Sequence, residues 1–138
     1  MRVRPRSRIV GVSALAFVVV LGGLTALRAW NLEPSTAAQS LVVDAGAVLV
    51  VAVVAAHVAR GENVGTRAGE GIVLAFGPCL GFAGNLFVPV STMESPLWVA
   101  YPLVGGAMLA LVLGGLGAAV GYVVRIARKI GTATGRTP

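Results

Sequence analysis

Four long apolar stretches, separated by short polar segments, make up most of this chain. They cover residues 9–30, 41–59, 71–90 and about 97–125. A helix needs about 20 residues to cross a hydrocarbon layer of about 30 Å, so each stretch is long enough for one crossing. The pattern predicts an all-α integral membrane protein, built as a four-transmembrane-helix bundle.

Composition agrees with a single membrane domain over residues 1–138. The chain has 138 residues, 57% of them hydrophobic, and a mean hydropathy of +0.88, well above the values typical of soluble domains. No polar segment between the stretches is long enough to form a soluble domain. The abundance of Ala, Val and Gly, and of Arg over Lys, is typical of a GC-rich prokaryotic genome.

The basic N-terminus, followed by an apolar run, also has features of a secretory signal peptide. However, the run continues to Trp30, past the usual length of the apolar region of such a peptide. The residues directly after the apolar core that ends at Leu24 include Leu27 and Arg28, which makes them a poor cleavage site. We therefore interpret the first stretch as an uncleaved membrane span.

The basic residues are concentrated at alternate ends of the stretches. Of the 11 Lys and Arg residues, all except Arg28 lie before residue 9, between residues 60 and 70, or from Arg125 onwards. The other two connections contain only Glu33 and Glu94 as charged residues. Because Lys and Arg favour the cytoplasmic side, we expect a plasma-membrane protein with both termini cytoplasmic and basic tails at residues 1–8 and 126–138. The net charge of +6 follows from this topology, so nucleic acid is not expected as a partner.

Two of the predicted helices carry stripes of small residues. On a wheel of 100° per residue, the stripe on the fourth helix falls within one narrow arc. In lipid, small residues let two helix backbones approach closely, so both stripes are predicted helix-packing surfaces, within the chain or with another chain. The fourth-helix stripe is Gly106, Ala110, Gly114, Gly117 and Gly121, and the third-helix stripe is Gly77, Gly81 and Gly84.

The third predicted helix also contains Pro78 and, two turns later, Asn85. Proline has no amide hydrogen to donate to the carbonyl of Leu74, so a kink is expected there. One interpretation is a polar notch for an ion or small solute, formed by Pro78 and Asn85 with Asp44 of the second helix. We favour the other, in which Asn85 forms a hydrogen bond to a neighbouring helix.

Asp44 and His57 lie at opposite ends of the second stretch. Thirteen residues separate them, about 20 Å along a helix, so they cannot pair in a proton relay. Asp44 is explained by the helix dipole or by pairing with Arg28 at a similar depth. His57 is explained as an interfacial residue beside Arg60.

The chemistry-bearing residues are too few to predict an enzyme. The single cysteine, Cys79, excludes an intramolecular disulfide and a thiolate metal cage, and we interpret it as an inert thiol. One His supplies neither zinc-ligand nor triad spacings, so no cofactor or metal is expected. Small multidrug-resistance transporters use an acid inside their first span, and residues 9–27 contain none.

Two classes of function remain. The one we expect is a non-catalytic accessory protein, scaffold or complex subunit, with the lipid bilayer and a second copy or another membrane protein as partners. The alternative is a small transporter or channel that uses Asp44, Pro78 and Asn85.

Overall fold

Four α-helices form the computed structural model of the chain, which describes residues 5–30, 36–87 and 97–134. They are α1 (Pro5–Ala29), α2 (Thr36–Ala59), α3 (Val64–Phe87) and α4 (Leu97–Thr134). Three of them contain segments long and apolar enough to cross a membrane: Ser7–Ala29, Ser40–Ala59 and Val99–Thr132. The predicted all-α class is confirmed, with three candidate membrane spans; α3 is not among them.

The first turns of α3 correct one expectation from the sequence. The hydropathy pattern makes residues 60–70 a connection between two helices, but α3 already begins at Val64. Asn63 precedes it, a residue type that favours the N-cap position, and the amide of Arg67 donates to the carbonyl of Asn63 at 3.1 Å. The end of the predicted third stretch, residues 88–90, lies outside the described residues.

The other three helices also extend beyond the apolar stretches that predicted them. α1 begins at Pro5, where a proline is favoured because the first helical amide needs no partner. α4 has 38 residues and is therefore about 57 Å long, almost twice the hydrocarbon thickness. Helical hydrogen bonds do not need apolar side chains, so the helices continue where hydropathy has already fallen.

α3 lies at the centre of the bundle. It packs against α4, α1 and α2, whereas α1 contacts α3 alone among the described helices. Along the α1–α3 contact, Ser13 lies against Gly77 and Leu21 lies against Gly84, so these two helices are parallel. α1 is therefore an added helix on a three-helix unit of α2, α3 and α4.

The remaining helix directions follow from the contacts of α4. Gly106 lies against Leu80 and Gly114 against Ile72, which makes α4 antiparallel to α3. The beginning of α1 and the end of α4 therefore lie at the same end of the bundle as the turn that joins α2 to α3. We call this the turn end.

The buried core lies where α2, α3 and α4 meet. It consists of small and medium side chains, which allow three helix backbones to come together. Val58 and Ala110 have no exposed surface, and Cys79 is 4% exposed. The core residues are Val54, Val58, Ala75, Cys79 and Ala110.

Candidate functional sites

The glycine stripe of α3 faces α1 so closely that a side chain at two of its positions would meet the backbone of α1. A Cβ atom at Gly81 would lie 2.9 Å from the carbonyl oxygen of Phe17, and one at Gly77 would overlap the carbonyl of Ser13. At Gly84 the contact is looser, 3.4 Å to a side-chain carbon of Leu21. The first two glycines are therefore required for the approach of α1.

The small-residue stripe of α4 divides between two neighbours. Its first part contacts α3, where a Cβ at Gly114 would lie 3.0 Å from the Cα of Ile72. Its second part contacts α2, where a Cβ at Gly117 would lie 2.7 Å from the Cβ of Val54. Gly106 belongs to the first part and Gly121 to the second, and Ala110 is fully buried between them.

Ser13 of α1 forms hydrogen bonds to the backbone of α3. Its hydroxyl donates to the carbonyl of Val73 at 2.7 Å and accepts from the amide of Gly77 at 3.0 Å. In an uninterrupted helix these two backbone groups would bond to each other. The Ser13 hydroxyl thus contacts both the donor and the acceptor of one backbone pair of α3. The next carbonyl along α3, that of Leu74, has no helical donor because Pro78 lacks an amide hydrogen.

Ser13 was not singled out from the sequence as a site residue. It is 7% exposed and lies in the middle of an apolar run. The sequence feature that could have identified Ser13 is its isolation, because it is the one hydroxyl side chain between Arg8 and Thr25. A hydroxyl surrounded by apolar residues in a membrane helix needs a hydrogen-bond partner, and a neighbouring backbone supplies it.

The residues of the proposed notch lie on two helices, Asp44 on α2 and Pro78 and Asn85 on α3. Asn85, on α3, accepts a hydrogen bond through its backbone carbonyl from Nη1 of Arg28, at 3.1 Å. Asp44 lies exposed on α2, which α1 does not contact among the described helices. Arg28, offered as one of two explanations for Asp44, instead donates to the carbonyl of Asn85. None of the hydrogen bonds or ion pairs between described residues connects Asp44 to Pro78 or Asn85.

A cluster of His57, Arg67 and Glu70 connects α2 to α3 near the turn end. Nε2 of His57 lies 2.9 Å from Oε2 of Glu70, so an Nε2–H donates to the carboxylate. The same oxygen lies 3.3 Å from Nη1 of Arg67, one turn earlier on α3. The Glu70 and His57 side chains are only 17% and 20% exposed, so the pair is better protected from solvent than an ordinary surface ion pair.

This cluster differs from the expectation that His57 lies beside Arg60. It was missed because residues 64–70 were not recognised as helical. The spacing of Arg67 and Glu70, three residues apart, was the available signal, since such a pair shares one helix face.

A groove opens beside this cluster at the turn between α2 and α3. Its volume is about 440 Å³, and its lining is polar and charged. On one side of the turn, Nη2 of Arg125 in α4 donates to the carbonyl of Glu62. Nη1 of the same guanidinium is buried without a hydrogen-bond partner among the described residues. The groove is lined by Arg60, Glu62, Asn63, Thr66, Arg67 and Glu70.

No protein-family model matches the chain, and comparisons with curated proteins and with solved structures give no match. Function is therefore inferred from the contacts within this chain. Over the described residues, no group of three or more His, Cys, Asp and Glu side chains comes together in a way that would hold a metal ion. The polar interactions from which function can be inferred are the ion pairs near the turn end and the hydrogen bonds from α1 to the backbone of α3.

Proposed function

We propose that this chain is a non-catalytic accessory protein, scaffold or complex subunit of the plasma membrane. The observation that carries the proposal is the use of polar groups within the helices. Ser13 and Arg28 both bind backbone groups of α3, at Val73, Gly77 and Asn85. Polar groups in lipid that hold helices together in this way are occupied by hydrogen bonds between helices, so they are not free to bind a substrate.

We further propose that α3 crosses the membrane with the other three helices. Its apolar part, residues 71–87, is about 26 Å long at 1.5 Å per residue, close to the hydrocarbon thickness. Its parallel alignment with α1 and antiparallel alignment with α4 support the alternation expected of four consecutive crossings. Neighbours on three sides cover its glycines and polar groups, which compensates for its lower hydropathy.

The turn end is proposed to be cytoplasmic. Arg60 and Arg67 lie there, together with the basic residues of the last turns of α4, Arg125, Arg128 and Lys129. The accumulation of Lys and Arg at one end supports this orientation through the positive-inside rule.

Partner binding is proposed for α1. Because α3 is the only one of the described helices that α1 contacts, most of the surface of α1 is available to lipid, to a second copy or to another membrane protein. Its exposed apolar residues include Val12, Leu15 and Val19, which are 56%, 64% and 63% exposed.

Flux measurements in reconstituted vesicles test this proposal against the transporter or channel alternative. We expect ion and small-solute flux to equal that of protein-free vesicles. Asn85→Leu is the diagnostic variant, because it removes the side-chain amide and keeps the backbone carbonyl that binds Arg28. Flux by the wild-type protein that Asn85→Leu abolishes, with thermal unfolding unchanged, would replace the accessory role with a channel or carrier.

A further inference from the structure

The part of α2 that lies away from the turn end has no buried side. Residues 41–46 are six consecutive positions, more than one and a half turns of helix, and each of them is exposed. The contacts of α2 with α4 begin only further along, at Val51 and Val54. We call residues 41–46 the uncovered segment of α2.

Asp44 lies in this uncovered segment and also inside the candidate membrane span Ser40–Ala59. At 1.5 Å per residue it is about 6 Å from the first residue of that span. Between described residues, no hydrogen bond or ion pair reaches its carboxylate. A charged side chain inside a membrane span is costly unless it is paired, and such residues almost always face another helix. The position of Asp44 therefore indicates a neighbour that the described part of one chain does not supply.

The complementary cation is Arg28, at the same end of the bundle. It is the one Lys or Arg in residues 9–59, and it is exposed. Its Nη1 donates to the carbonyl of Asn85, which leaves the donors of Nη2 and Nε for a carboxylate. Because α1 and α2 make no contact within the described chain, Arg28 and Asp44 are not paired with each other there.

The other acidic residues near this end do not replace Asp44. Glu33 and Glu94 belong to the connections between helices and lie outside the candidate spans. A carboxylate in a polar connection can be hydrated, whereas one inside a span needs a protein partner. Asp44 is thus the acid whose position calls for a cation.

Asp44 and Arg28 lie at compatible depths. Val54 of α2 lies against Gly71 of α3, which gives the two helices a common level. From this level Asp44 is ten residues along α2, and Asn85, which binds Arg28, is fourteen residues along α3. The difference of four residues is about 6 Å, and the side chain of Asp44 tilts toward the beginning of α2, which reduces it. Two copies in one membrane place equal residues at equal depths, so Asp44 of one copy can meet Arg28 of another.

The arrangement of α1 and α2 around α3 suits a symmetric pair of copies. On α3, Gly77 faces α1 and Gly71 faces α2, and six steps of 100° place these positions about 120° apart. α1 and α2 therefore flank one side of α3. An isologous dimer that joins this side of two copies, about an axis along the membrane normal, places each α1 beside the α2 of the other copy. Such a dimer contains the pair of Asp44 and Arg28 twice.

We propose that the uncovered segment of α2 binds a second copy of this chain, with Asp44 of one copy paired to Arg28 of the other. A second copy is favoured over an unrelated protein because the chain itself carries the complementary charge at the matching depth. The inference rests on the membrane placement given under the proposed function and names the partner that was left open there. It does not depend on whether the protein conducts solutes.

Energy transfer between fluorescent copies in phosphatidylcholine vesicles measures the association. Full-length chains carry a donor or an acceptor at the C-terminus, and the ratio of protein to lipid is varied. The variants are Asp44→Asn, Asp44→Arg and Arg28→Asp. The matched control is Arg128→Asp, which reverses an exposed charge of α4 at the turn end. Thermal unfolding of each variant shows whether the fold is retained.

We expect the wild-type protein to form dimers. Asp44→Asn should weaken the association about tenfold, because each dimer loses two charged contacts between helices. Arg128→Asp should leave the association within about twofold. Asp44→Asn removes no hydrogen bond or ion pair between described residues, so its effect does not depend on a change of fold. Equal association of Asp44→Asn and the wild-type protein would overturn the proposal.

A mixture of the two charge reversals tests the pairing between copies directly. Copies with Asp44→Arg carry two cations at this end, and copies with Arg28→Asp carry two carboxylates, so each variant alone should associate poorly. An equimolar mixture should associate well, because both oppositely charged pairs form again between unlike copies. A mixture that associates no better than either variant alone would contradict the pairing.

The remaining outcomes separate this inference from its alternatives. A wild-type protein that stays monomeric at every ratio of protein to lipid would overturn the proposal. If phosphatidylethanolamine then raised the unfolding temperature of the wild-type protein but not of Asp44→Asn, the partner of Asp44 would be a lipid amine. Solute flux by a dimer that Asp44→Asn dissociates would refute the accessory role alone, whereas a monomer without flux would refute the second copy alone.

Discussion

At the scale of single residues, Ser13 shows how a membrane protein uses a hydroxyl group. Its two hydrogen bonds both go to the backbone of α3, at the position where a Cβ atom on Gly77 would overlap the carbonyl of Ser13. Gly77 makes this possible, because any side chain there would overlap Ser13. The two residues act as one contact, although 64 positions separate them.

Removal of the Ser13 hydroxyl should lower stability moderately. In Ser13→Ala, the carbonyl of Val73 and the amide of Gly77 can bond to each other within α3, so neither is left unpaired. We expect a loss of about 1 kcal/mol in the free energy of unfolding, measured by thermal or chemical unfolding in detergent.

Thr25→Val is the matched control for this prediction. The Thr25 hydroxyl binds the carbonyl of Leu21 in its own helix and is exposed, so its loss should change stability by less than about 0.5 kcal/mol. If the two variants unfold identically, the bridge between α1 and α3 contributes nothing to stability.

At the scale of helices, α4 presents one continuous stripe to two different neighbours. The stripe begins against α3 and ends against α2, because the two helices lie side by side and α4 crosses both. The opposite surface of α4 is apolar and exposed, with Met108 at 64% and Leu116 at 54%. The helix therefore has a packed side and a lipid side.

A pair of glycine substitutions separates these two sides. Gly117→Leu should destabilise the protein by about 1–3 kcal/mol, since the new side chain meets Val54 and the backbone of Val51. Gly115→Leu introduces the same side chain at a position where a Cβ atom would have no neighbour within 4 Å, so it should be neutral or slightly stabilising. Equal unfolding temperatures for the two variants in detergent would contradict this division of α4.

Much of the helical architecture could be predicted from apolar length and small-residue spacing. The identity of the partners could not, because an arc on a helix wheel shows which residues share a face but not which helix covers them. Ser13 and Glu70 were missed for another reason. A single polar residue has no periodicity, so its importance emerges only when the fold brings a partner such as Val73 or His57 to it.

At the scale of the whole molecule, the helix directions bring basic residues from different helices to the same end of the bundle. The exposed basic residues of α4 and of the turn between α2 and α3 lie at one end of the bundle, together with the beginning of α1. At the opposite end of the bundle, Arg28 of α1 donates a hydrogen bond to the carbonyl of Asn85 in α3. The fold thus brings these basic residues to one end of the bundle, which supports the proposed orientation.

Reporter fusions test the proposed orientation. A reporter at the C-terminus should be active in the cytoplasm, because the basic turn end is expected on that side. The same reporter inserted at residues 31–35 should be active on the outer side. A C-terminal reporter active outside the cytoplasm would overturn the proposed topology.

The attachment of α1 to α3 alone among the described helices has a consequence for synthesis. The hydrogen bonds that hold α1 join residues 57 to 64 positions apart. At about 5–20 residues per second, the ribosome needs roughly 3–13 s to deliver that length of chain. In the proposed membrane placement, α1 is therefore in lipid without its partner until α3 has been made. Its mean hydropathy of 2.4 suits it to that interval. α3, which we propose crosses the membrane beside helices already in place, can carry a proline, an amide and a row of glycines.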